Sequence, residues 1–185
     1  VELTVLTDKA AEKPAIERAF ANLKKQVRGE DTTFVFLAGH GVNDLKQGYF
    51  FMPKEADIKR LSDTGVSFRD IRRTLAELPG RNLLFVDTCH AGNVIGNTAT
   101  GLSLNNSSAI NELASPENNI IVFASSSGDQ SAIEKDDWGN GAFTKALLEG
   151  MRGRADFMKR GRISYKQLDA YVSDRVTDLT EGLQT

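Results

Sequence analysis

One cysteine and two histidines in 185 residues confine the most reactive side chains to three positions. Cys89 stands in LLFVDTCHAG and His40 in FVFLAGHG, each just beyond an apolar run and each close to glycine. A free thiol has a pKa of about 8.5 and is mostly protonated at neutral pH, so a cysteine nucleophile needs a base. Histidine titrates in the range that lets it take that proton and return it. The pattern therefore assigns Cys89 as nucleophile and His40 as its acid/base partner. The adjoining glycines permit close approach of a substrate backbone and sharp turns that leave N–H groups unpaired. The backbone N–H groups of Gly41 and Cys89 are the candidates to hold a developing oxyanion. His90 adjoins Cys89 in sequence, is expected to point away from it, and ranks behind His40. Taken singly, a cysteine after a buried strand is commonly an inert small hydrophobe. It is the pairing of two such residues at two strand ends that points to chemistry.

Cys89 and His40 can meet only if the strands before them lie side by side. Four short apolar runs read as buried strands: Leu3 to Leu6, Thr33 to Ala38, Leu83 to Val86 and Ile120 to Ala124. Helical patterns lie between them. Ile16, Phe20, Leu23 and Val27 recur on one helix face. Ser67 can cap a helix running to Leu78, with Asp70 in the capping-box place and Pro79-Gly80 as its stop. Further helices are expected over Phe143 to Met151 and Tyr165 to Leu179, and a small hairpin at Tyr49 to Met52. Alternating strands and helices predict an α/β fold whose mostly parallel sheet is covered on both faces. Functional residues of such sheets gather beyond the C-terminal strand ends, where both His40 and Cys89 fall. The stretch Asn93 to Asn119 is rich in Asn, Ser, Gly and Thr and reads as a long loop with one short helix near Ile110 to Leu113.

Composition narrows the function classes. The net charge of −2 gives no reason to expect nucleic acid or an anionic membrane as partner, and no apolar run is long enough to cross a bilayer. A single cysteine rules out an internal disulfide and cysteine-rich metal sites, and fits a reducing, cytoplasmic setting. The stretch VELTVLTDKA carries no basic leader and starts on a strand-like run. Residues 1–185 are expected to form one domain, cut from a longer protein.

AGHG followed about fifty residues later by DTCHAG resembles the paired His and Cys blocks of the caspase and metacaspase superfamily, the C14 peptidases. The aspartate two residues before the cysteine matches the metacaspase and bacterial caspase-like branch, whose block usually reads Asp-x-Cys-His-Ser-Gly. Ala91 stands here where that serine is common. FASSSGDQSAIE and GNGAFTKALLEGM also resemble segments of bacterial members, so the likeness covers nearly the whole chain. It implies a caspase-like three-layer sandwich whose first strand precedes Val1. It also implies a cysteine endopeptidase that works through a thioacyl-enzyme without a cofactor. Resemblance to metacaspases favours a monomeric catalytic domain flanked by regulatory domains.

Asp87 and Cys89 are two residues apart at a strand end and so are expected on one face. A carboxylate there hinders thiol ionisation, which suggests another use: an anionic pocket for Arg or Lys. The resemblance implies the same role, and hence a protein or peptide substrate with a basic cleavage-site residue. The alternative is that Asp87 caps a turn or pairs with Arg81 or another internal cation. Ser125 and Ser126 are candidates to line the substrate groove. Asp129 lies in a segment resembling the metacaspase Asp-x-Gln-Thr-Ser-Ala pattern and is a weaker pocket candidate. Trp138 either walls a neighbouring subsite or covers the core. The stretch Asn93 to Asn119 holds no Lys, Arg or Asp, so neither a basic-specific nor an Asp-specific enzyme would process itself there. Lys135 is the nearest basic site downstream. The acidic run of calcium-dependent metacaspases is missing from GVNDLKQGYFFMPKEAD. Glu134, Asp136 and Asp137 read as a solvated turn, so no metal is expected. Competing readings are another branch of the same protease clan or a catalytically silent caspase-like module that binds peptides or scaffolds signalling. A nucleotide-binding sheet protein fits poorly, because TDKAAEKP stands where a glycine-rich phosphate loop belongs.

Overall fold

Val35 and Leu37 alternate with Phe34 and Phe36, a period-two pattern that belongs to a strand. The computed structural model describes residues 1–44, 46–90, 120–125, 134–135 and 139–184, and builds this stretch into β1 (Thr32–Asp44). β2 (Gly48–Met52), β3 (Val66–Ser67), β4 (Arg81–His90) and β5 (Ile120–Ala124) complete a five-stranded sheet in the order β3-β2-β1-β4-β5. The long strands β1, β4 and β5 run parallel. β2 returns antiparallel to the end of β1 as the expected hairpin, and β3 pairs antiparallel with β2.

Helices cover both faces. α1 (Lys13–Gln26) and α3 (Phe68–Glu77) send Ile16, Ile71 and Leu75 into a core shared with Val35, Leu37, Leu84 and Val86. On the other side α4 (Ala142–Glu149) and α5 (Tyr165–Leu179) pack Phe143, Leu147, Leu168 and Val172 against Phe85 and Phe123. β4 is thus buried on both faces, as an internal parallel strand must be. Phe85 is the centre of its second face, stacked on Phe123 at 4.9 Å and on Phe34 at 6.0 Å. The fold is the expected three-layer α/β sandwich. No helix among the described residues is long and apolar enough to cross a membrane.

Leu3 to Leu6 is a correction: residues 1–7 carry no strand. A strand exists only with a partner, and no described residue pairs with this segment. Leu6 packs on the first core, Glu2 accepts from the Gln26 side chain, and Val1, Leu3 and Val5 are exposed. Ser67 caps α3 as expected, its hydroxyl accepting from the Arg69 N–H at 3.2 Å. Asp70 does not close a capping box there; its carboxylate meets Arg73 at 3.0 Å. The stop at Pro79-Gly80 has a steric cause. Gly80 has φ +79°, and a Cβ on it would lie 2.4 Å from the Asp31 carbonyl oxygen. The expected helix over Phe143 to Met151 ends at Glu149 and passes into a π-type turn, Gly150–Arg154. The pieces not anticipated include β3, the short α2 (Leu61–Thr64), the 3-10 turns Asp8–Ala10 and Ile58–Arg60, and the ribbon of β6 (Glu134–Lys135) and β7 (Asn140–Gly141) that leads into α4. The stretch Asn93 to Asn119, where a loop and a short helix are expected, lies outside the described residues.

Candidate active site

β1 and β4 start together, and their ladder runs to the last residue of β4, while β1 continues to Asp44 along β2. Thr32 pairs with Arg81 at one end, where the Arg81 N–H also reaches the Asp31 carbonyl at 3.1 Å. At the other end His40 pairs with Cys89 and Gly41 with His90. Adjacent strands lie about 4.8 Å apart. The two positions that carry the candidate dyad are therefore immediate neighbours, where the parallel ladder of β1 and β4 ends. His40 is exposed there. Cys89 and His90 are described by backbone and register alone.

The glycines beside His40 are required by what packs on them. Gly39 has φ +149° and lies against the Phe51 ring. Gly41 is buried, and a Cβ on it would fall 1.7 Å from the Tyr49 hydroxyl. That hydroxyl is 2.7 Å from the Thr88 hydroxyl, and the Tyr49 ring meets Phe68 edge-on at 4.7 Å. One phenol thus touches Gly41, next to His40, and Thr88, next to Cys89. These contacts fix the relative height of the two strand ends.

Asp87 is half-buried one alternation before Cys89, and its Cα partner on β1 is Ala38. Its Oδ2 accepts from the Thr144 hydroxyl at 2.5 Å, from the first turn of α4. Arg81 begins the same strand, about 20 Å away at the usual rise per residue, and is out of reach of this carboxylate. The alternative that paired Asp87 with Arg81 is thereby overturned. Ser125 follows β5 directly: its N–H donates to the Val86 carbonyl at 2.9 Å, and its own carbonyl accepts from the Gln184 side-chain amide. It is 4% exposed and directly follows Ala124, the residue that pairs with Val86. Ser126, Asp129 and Trp138 lie outside the described residues, as do Asp136 and Asp137. Glu134 and Lys135 are placed by backbone, in β6.

Sequence reasoning missed Tyr49, Thr88 and Thr144. Tyr49 was visible only as a hairpin residue, and Thr88 only as filler between Asp87 and Cys89. The available signal for Thr144 was a hydroxyl in the first turn of a helix otherwise apolar on that face. The register thus sets the Cα positions of His40 and Cys89 side by side, with the Asp87 carboxylate one alternation earlier on β4.

The fold is similar to that of a protein from Geobacter sulfurreducens known from a crystal structure. The TM-score is 0.61 at 18% identity, over 93% of this chain and 72% of that one. At that identity the likeness is one of fold. No curated protein matches the sequence. The caspase-domain profile of the C14 peptidases matches residues 2–185. That match spans both strand ends, the sheet between them and the helices on either face, and the chain belongs to the caspase-domain family, the C14 group of cysteine peptidases.

Proposed function

We propose that this chain is a cysteine endopeptidase that cleaves after Arg or Lys through a Cys89–His40 dyad. The observation that carries the reading is the pairing of His40 with Cys89 across two parallel strands. His40 takes the thiol proton as the sulfur attacks the scissile carbonyl, and the backbone N–H groups of Gly41 and Cys89 face the developing oxyanion. The same imidazole passes its proton to the leaving amine. Breakage of the C–N bond leaves a thioester on Cys89. Water, deprotonated by His40, then attacks the thioester, releases the acid product and restores the thiol. Asp87 receives the guanidinium or ammonium of the residue before the scissile bond, and Ser125 belongs to the wall on that side. Ser126, Asp129 and Trp138 complete the substrate groove in this reading. Neither a metal nor a cofactor enters the scheme. The partner is a protein or peptide with a basic cleavage-site residue, met by a monomeric catalytic domain.

A panel of peptides differing only in Arg, Lys or Asp at the cleavage position tests this on the parent and on Cys89→Ala. Turnover of the basic peptides that disappears in the variant is expected. Equal hydrolysis by both proteins would remove the nucleophile assignment, and turnover of the Asp peptide alone would remove the role of Asp87. If the folded parent neither cleaves nor reacts with a cysteine-directed peptidyl electrophile, the chain is a silent peptide-binding module.

A further inference from the structure

Thr144 is the third residue of α4, whose N-terminal flank is Gly141, a residue with no side chain to cap the first turn. The first turn of a helix is its positive end. The Asp87 carboxylate sits against this turn, held by the Thr144 hydroxyl at 2.5 Å. Asp87 and Thr144 are 57 residues apart in sequence, so the contact ties the end of β4 to α4 across the second core. Threonine is stiff at χ1, and its hydroxyl is aimed by the helix rather than by a flexible stem.

We propose that Thr144 is the positioning residue for basic-residue specificity: it holds the Asp87 carboxylate in the orientation that receives Arg or Lys. The inference rests on the proposed reading of Asp87 as the substrate anchor, and it adds which residue fixes that anchor. A carboxylate accepts about four hydrogen bonds, and the Thr144 hydroxyl fills one of them on Oδ2. A guanidinium needs two parallel N–H···O contacts, so its recognition depends on the plane of the carboxylate and not on charge alone. A hydroxyl that donates to one oxygen restricts the rotation of that plane. The adjoining helix end keeps a negative charge favourable there when no substrate is bound.

The experiment compares kcat and KM for paired peptides, with Arg or its neutral isostere citrulline at the cleavage position, in the parent, Thr144→Val, Thr144→Ser and Asp87→Asn. Thr144→Val keeps the shape and removes the donor. The expected result is a fall of about tenfold in kcat/KM for the Arg peptide, concentrated in KM, the size expected for losing one hydrogen bond to a charged group. The citrulline peptide should fall far less, so the Arg-to-citrulline ratio drops. Thr144→Ser, which restores the hydroxyl, should bring the ratio back to within about threefold of the parent, a tolerance that allows for the looser serine rotamer. Adding Thr144→Val to Asp87→Asn should change the ratio no further. An unchanged ratio in Thr144→Val, with a lowered melting temperature as its sole effect, would overturn the inference and leave a strand-to-helix tie. A parent that shows no preference for Arg over citrulline would instead remove the reading of Asp87 itself, so the two failures are distinct.

Discussion

The Tyr49 and Thr88 hydroxyls share a hydrogen bond of 2.7 Å in the buried layer beneath the ends of β1 and β4. It links the returning hairpin strand to the residue just before Cys89, while the same phenol fills the space a side chain at position 41 would need. Tyr49→Phe leaves the Thr88 hydroxyl without this partner in a buried site. The expected cost is about 1–3 kcal/mol, or roughly 2–4 °C in melting temperature per kcal/mol for a chain of this size.

Gly41→Ala is expected to be the harsher change. The added carbon would meet the Tyr49 hydroxyl at 1.7 Å and two ring carbons at 2.3 and 2.9 Å. Tyr49→Phe therefore cannot rescue it, because the ring carbons stay; a smaller residue at position 49 is needed. Thermal unfolding of the single and double variants checks this. A Gly41→Ala protein with the parental melting temperature would show that the ring is free to move.

Asn82 holds the opposite end of β4. It is 1% exposed, and its side-chain amide donates to the Leu75 and Leu78 carbonyls at 3.2 Å each. The Leu75 carbonyl also accepts from the Leu78 N–H at 3.2 Å, so Asn82 is its second donor at the end of α3. Asn82→Asp replaces the donor with a carboxylate facing two carbonyl oxygens. It should destabilise by about 3 kcal/mol or more at neutral pH. The loss should shrink as pH falls, since a protonated carboxyl regains one donor. Urea unfolding of both proteins across pH gives the measurement, and a pH-independent difference would contradict the account.

The frame of this site was legible because local chemistry and tertiary packing agree. The Ile120 to Ala124 run became a strand with the expected limits, since an all-apolar segment of that length suits a strand covered on both faces. Tyr165 to Leu179 was equally plain, and Ser164 and Gln167 close a capping box at its start. β1 and β4 ran past their expected ends because backbone pairing continues through Gly39, His40 and Cys89, where the apolar pattern has stopped. Leu3 to Leu6 failed for the converse reason: the pattern is present and the pairing is not. That His40 and Cys89 stand on neighbouring strands could be expected from the apolar runs before them. The contacts of Tyr49 with Thr88 and of Thr144 with Asp87 could not, because a sequence does not display contacts made across 39 and 57 residues.

Glu149, at the far end of α4 from Thr144, gives the chain a defined response to acid. Its carboxylate accepts from Arg175 Nε at 2.9 Å and from the Tyr171 hydroxyl at 3.0 Å, with Lys145 and Arg154 each at 3.3 Å. The Arg175 hydrogen bond is the largest cause that lowers its pKa from the ordinary 4.5 to about 2, with Tyr171 and Lys145 adding to it against the effect of burial. The Glu149 side chain is 15% exposed and those of Arg175 and Lys145 29% each, while Arg154, at 65%, is the partner most open to screening. A carboxylate whose folded pKa is depressed stabilises the protein above its unfolded pKa and loses that contribution as pH falls through the folded value. The contribution is therefore full above about pH 5 and fades between there and about pH 2, with a ceiling of roughly 3 kcal/mol. Glu149→Gln should be less stable than the parent at pH 6, and the gap should close steadily towards pH 2.5. Urea midpoints at four or five pH values would show the convergence. A gap of constant size would mean that the carboxylate charge contributes nothing and that packing of α4 on α5 carries the whole effect.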